Sequence, residues 1–167
     1  MALLESVLAS WLEVALDPKG EIVGDITAAD QPTRIAQAFG AYFKAATPPV
    51  IAMAIDDDAV PAMADALDLP PGATPAEGAA ALTAGYAAFW AEMVSAPATF
   101  FASATVVAPP AIGLAALPGA FVTQFGANLN PGITTAQAAA NLAAAIHANA
   151  GVGGFVTFAS PPPVSIA

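Results

Sequence analysis

The chain has no cysteine and only three basic residues, Lys19, Arg34 and Lys44, in 167. Without cysteine, a disulfide scaffold, a thiolate zinc site, an iron–sulfur cluster and a cysteine nucleophile are all excluded. Three cations cannot form the basic stripe that phosphate recognition needs, so nucleic acid is set aside as a partner. Charge of either sign is scarce, at 10% of residues, against about 25% in an ordinary soluble domain. The scarcity is also uneven. Acids run from Glu5 to Glu92, and from residue 93 to 167 there is no Asp, Glu, Lys or Arg.

What is present is apolar. Hydrophobic residues make up 57% of the chain, the formal net charge is −10 and the mean hydropathy is +0.69. That composition excludes charge-rich disorder. The length suits one domain, or one domain with an appended segment. The reading is a helical domain over 1–150 and a strand with a Pro-rich extended tail over 151–167. A neutral stretch as long as 93–167 is expected to be covered, because large contiguous apolar surfaces mark interfaces. The cover is this chain's own core, a partner subunit or lipid.

Lipid is the weaker expectation. A spanning helix needs about 20 apolar residues. The best window, Ala98–Leu117, is interrupted by Pro109-Pro110 and flanked by Pro97 and Pro118. No basic residue stands near to set an orientation. The start, Met1-Ala-Leu-Leu-Glu-Ser, lacks a basic region and does not read as a secretory signal. Synthesis in the cytoplasm and incorporation into a particle is the expected route.

Three segments share a helix-start pattern: Thr27-Ala-Ala-Asp30, Thr74-Pro-Ala-Glu77 and Thr134-Thr-Ala-Gln137. A hydroxyl three residues before an acid or amide is capping-box spacing, with Asp30 the poorest fit because its side chain is short. Eight residues after each Thr stand Ile35, Leu82 and Leu142; twelve after stand Phe39, Tyr86 and Ile146. An offset of four puts each pair on one helical face. Helices are expected near 28–45, 75–95 and 135–149. The unequal spacing of the starts favours three ordinary amphipathic helices over a true repeat.

Further helices are expected over 2–16, over 59–67 with Asp58 as cap, and over 111–127 with a break at Leu117-Pro118-Gly119. Strands are expected at Val50–Ile55, Thr99–Val107 and Gly154–Phe158. Pro161-Pro-Pro163 imposes an extended path before Val164-Ser-Ile166, which could add to a sheet edge. The fold class is therefore mainly α, a bundle of about four to six Ala-rich helices with a few short strands, mostly in the C-terminal half.

No constellation carries catalysis. His147 is the single histidine, and its helical neighbours Ala143, Ala144, Ala150 and Gly151 cannot assist it. It reads as a helix-end histidine, favoured by the C-terminal dipole. Asp56-Asp57-Asp58 lacks the alternation, glycine and terminal glutamate of a calcium loop, so no metal is expected. Glu77 and Glu92 lie about four turns apart on one helix and cannot face each other across a cleft. Gly151-Val-Gly-Gly154 follows a helix and is a cap and turn rather than a phosphate loop. Neither an enzyme nor a cofactor is expected.

The aromatic residues read mainly as core. Interface candidates are Tyr42, Phe43, Phe89, Trp90, Phe100, Phe101, Phe121, Phe125, Phe155 and Phe158, with Val164 and Ile166 of the tail; Tyr42 and Trp90 have the polar tips of anchors. The expectation for function is a non-enzymatic structural subunit of a larger protein particle, such as a virion, phage-tail-like machine or shell. Its partners would be itself or other structural subunits. The alternative is a membrane-associated or apolar-ligand-binding module.

Overall fold

A computed structural model describes residues 5–17, 26–27, 30–46, 55–67, 72–95, 104–108, 119–120, 122–124, 126, 132–150, 155–158 and 164–165. These residues are predominantly helical. In chain order the helices are α1 (Glu5–Leu16), α2 (Gln31–Ala46), a π-helical turn (Ile55–Ala59) running into α3 (Val60–Ala66), α4 (Pro75–Ser95) and α5 (Thr135–Ala150). Gly119, Ala120, Val122, Thr123, Gln124 and Gly126 also have helical backbone. Strands β1 (Ala104–Ala108), β2 (Phe155–Phe158) and β3 (Val164–Ser165) pair antiparallel in that order. Ala104 stands opposite Phe158 and Val156 opposite Val164, with an irregularity between Val106 and Ala108.

α1 lies against both α2 and α5, and α3 lies against α2 and α4. α1 turns one apolar face inward: Leu8 and Leu12 are buried, while Val7 and Trp11 are half-buried. Gly40 on α2 and Gly85 on α4 let α3 approach closely. A Cβ on Gly40 would lie 2.6 Å from a methyl of Val60, and one on Gly85 would lie 3.2 Å from the Met63 carbonyl oxygen. Between α2 and α4 the core is aromatic. The Phe43 ring lies 5.0 Å from Tyr42, 5.3 Å from Phe89, 5.2 Å from Trp90 and 6.2 Å from Tyr86, centroid to centroid. Edge and tilted contacts of this kind exploit the ring quadrupole in addition to burial.

Two of the three capping boxes form. Thr74 accepts from the Glu77 N–H at 3.3 Å, and Glu77 accepts the Thr74 N–H at 2.7 Å. Thr134 and Gln137 repeat the arrangement at 3.2 and 3.0 Å. Before each box a glycine takes a positive φ, +82° at Gly72 and +95° at Gly132, turning the chain into the cap.

The third box is corrected. α2 begins at Gln31, and Asp30 is itself the cap. Its Oδ1 accepts from the Thr33 N–H at 2.9 Å and from the Thr33 hydroxyl at 2.6 Å. A short aspartate reaches forward to the first turn more readily than it reaches back to Thr27. Thr27 instead bonds the Gln37 amide, donating its N–H at 2.9 Å and accepting at 3.0 Å.

Two other expectations also change. Ile55 opens the π-helical turn rather than ending a strand, and residues 50–54 lie outside the described residues. Asp58 caps nothing: the turn is already wound before α3, whose cap position, Ala59, has helical dihedrals and no side-chain cap bond. Of the Ala98–Leu117 window, the described part is strand β1.

Candidate functional site

Two places in the helical core bring chemistry-bearing or ligand-sized features together. The first is a cavity of about 280 Å³, partly open to solvent. α1 contributes Leu12 and Leu16; α2 contributes Gln31, Pro32, Ile35 and Phe39; Leu67 follows α3; α4 contributes Gly78 and Leu82; α5 contributes Leu142 and Ile146. Five of the six positions eight and twelve residues after the three threonines therefore meet at one cavity. The sixth, Tyr86, is buried against Phe39 at a centroid distance of 5.6 Å. The shared spacing reflects helices whose second and third turns converge on one space. Gln31 is the sole polar side chain lining it among the described residues, and no charged side chain lines it there.

The second place is a pair that sequence reading missed. The Tyr42 hydroxyl lies 2.8 Å from His147 Nδ1 and joins α2 to α5. Burial, assisted by the negative charge of Glu5, raises the phenol above its ordinary value. The phenol therefore keeps its proton; it donates to Nδ1 where that nitrogen is bare and accepts where that nitrogen carries a proton. His147 does stand in the last turn of its helix. Its partner is 105 residues away in sequence, beyond the reach of any local spacing rule.

A buried cation lies beside the cavity. Arg34 is 2% exposed, and its guanidinium donates to the carbonyl of Val14 at 2.5 Å and that of Ala15 at 3.4 Å. These are last-turn carbonyls of α1, which has no basic residue of its own there. Arg34 thus caps α1 from outside and sits at the negative end of its dipole. Deeper in the aromatic core, the Tyr86 hydroxyl and the Trp90 indole nitrogen are buried without a hydrogen-bond partner of full geometry. Burial raises the Tyr86 phenol as well, and the neighbouring Trp90 N–H partly offsets the rise.

The interface candidates fall into three groups. Tyr42, Phe43, Phe89 and Trp90 are buried inside this chain, so they are core here and not surface anchors. Phe155, Phe158 and Val164 lie on strands whose backbone pairing alone is described. Phe100, Phe101, Phe121, Phe125 and Ile166 lie outside the described residues. Asp57 is exposed and Asp58 half-buried. Among the described residues no three of His, Asp and Glu are grouped to hold a metal ion, and no helix is long and apolar enough to cross a membrane. No protein-family model, curated protein or solved structure matches this chain.

Proposed function

We propose that this chain is a non-enzymatic structural subunit, built into a larger protein particle through the outer faces of its charge-poor helices. The supporting observation is a contrast between helix surfaces. α1 exposes Glu5, Ser6, Ser10 and Glu13, and the π-turn and α3 expose Asp57 and Asp65. α4 exposes Ala76, Ala80, Ala84, Ala87 and Ala91, a stripe at helical spacing with Glu77 at one end. α5 exposes Thr135, Ala136, Gln137, Ala140 and Ala148, none of them charged. A solvent-facing helix ordinarily carries charge on its outer face. Alanine offers a smooth surface on which another helix can approach closely.

α5 also shows where part of the neutral half goes. Ala139, Leu142, Ala143, Ala145 and Ile146 are buried in this chain's own core. Shelter from partner subunits is needed for the outer faces rather than for the whole stretch. A virion, tail-like machine or shell remains an analogy for such a particle.

The test is light scattering on the purified full chain at low micromolar concentration without detergent. The expected mass is a multiple of 16.4 kDa. An Ala84→Glu, Ala87→Glu double variant, which leaves the buried face untouched, should shift the mass toward the monomer. A stable monomer in the unaltered chain overturns the reading.

A further inference from the structure

We propose that the cavity between α1, α2, α4 and α5 binds one small, uncharged, largely hydrocarbon molecule with a single hydrogen-bonding group, of the class of a medium-chain alcohol. This inference does not rest on the assembly reading, because the cavity opens among inner helix faces and not on the alanine stripes.

Size sets the first limit. An apolar cavity of about 150 Å³ holds a benzene ring, and pockets for small molecules begin near 300 Å³. At about 280 Å³ the space exceeds one ring and suits a short alkyl chain. Wall chemistry sets the second. Ile35, Leu82, Leu142 and Ile146 present aliphatic surface from three helices, and Gln31 offers one amide where α2 begins. Gln31 is exposed, so the amide stands at the rim, where an alcohol head group can donate to it or accept from it while still meeting water.

Charge sets the third. A carboxylate head group at the rim would find no cation to pair with, because no charged side chain lines the cavity among the described residues. The nearest turn of α2 carries Arg34, whose guanidinium is buried against the carbonyls of Val14 and Ala15. The protein's net charge of −10 also repels an anion. The site therefore selects the neutral alcohol over the fatty acid of the same length.

The space lies between helices, three of whose first turns are capped, reciprocally at Thr74–Glu77 and Thr134–Gln137 and by Asp30 on α2. Walls that are already helical lower the ordering cost of binding.

The probes are 1-octanol and octanoate at pH 7, titrated into the full chain by calorimetry and by thermal shift. The expected result is saturable binding of one octanol per chain with a rise in Tm, and at least about tenfold weaker binding of octanoate, whose charge meets no cation among the described lining residues and is repelled by the net negative chain. Leu142→Phe fills the cavity and should abolish the octanol response. Ile35→Trp, at a half-buried position of the cavity wall, should do the same and covers the case in which Leu142→Phe does not fold. Absence of saturable octanol binding, equal binding of octanoate, or an undiminished response in a folded filled variant overturns the proposal.

Discussion

Tyr42 and Tyr86 are both fully buried tyrosines, yet the same change should act differently at the two. Tyr42→Phe removes the bond to His147 Nδ1 and leaves a half-buried imidazole without that contact. The expected loss is about 1 kcal/mol, seen as a lower urea midpoint at unchanged slope. Tyr86→Phe removes an oxygen that makes no well-formed hydrogen bond, so stability should hold or rise by up to about 1 kcal/mol. Equal losses at the two sites would show that the Tyr42–His147 bond adds nothing beyond ring packing. Arg34→Met keeps the apolar stem and deletes the charged donors that cap α1. It should cost about 2 kcal/mol in urea unfolding, in the range for hydrogen bonds to charged groups. None of these roles is visible in sequence. Arg34 reads there as one cation of three, because its partners are backbone carbonyls of another helix. His147 reads as isolated because its partner lies on α2.

At the scale of the element, the caps couple stability to pH. Asp30 and Glu77 both have carboxyls held below their ordinary values, Asp30 chiefly by the Thr33 hydroxyl and Glu77 chiefly by the Thr74 N–H. A carboxylate depressed in the folded state contributes stability above its unfolded value, and that contribution is lost as pH falls through the folded value. The double variant Asp30→Asn, Glu77→Gln should therefore melt below the unaltered protein at pH 7, with the gap closing as pH falls to about 3, below the ordinary carboxylate range. A gap that stays constant across thermal melts in this window would show that charge is not what the caps contribute. The same elements show what local sequence can carry. The boxes at Thr74 and Thr134 are legible because all their partners lie within three residues. The start of the helix over 75–95 follows from its cap and Pro75, and its inward face from Leu82 and Tyr86 at an offset of four. The reading at Thr27 fails because two local caps compete and the nearer one, Asp30, wins. The π-helical turn over Ile55–Ala59 is illegible for the opposite reason. Ile55 and Ala59 are fully buried, and Ile55 also packs at Gly40; these contacts are tertiary, with no local signal. The cavity is half legible. The shared spacing of Ile35, Leu82 and Leu142 marks inward faces, but their convergence on one space depends on how the helices pack.

For the whole molecule, uneven charge fixes the sign of any salt effect on association and so separates two kinds of partner. Each chain carries a net −10, all of its side-chain acids at or before Glu92. Two copies that meet through the alanine faces of α4 and α5 gain from close packing but repel through the acids of α1 and α3. That repulsion acts over the Debye length, about 30 Å at 0.01 M salt and about 10 Å at 0.1 M. Raising salt between these values should screen it while leaving the uncharged contact intact. Self-association should then strengthen with salt, and strengthen again as pH falls toward the isoelectric point near 4.1. A basic partner docking on the acidic face gives the reverse, because its attraction is the term that salt removes. Sedimentation velocity of the full chain at the two ionic strengths reads the difference directly. A sedimentation coefficient that rises with salt fits copies meeting on neutral faces. One that falls shows that charged contacts hold the copies together, and the alanine stripes would then not be the seam.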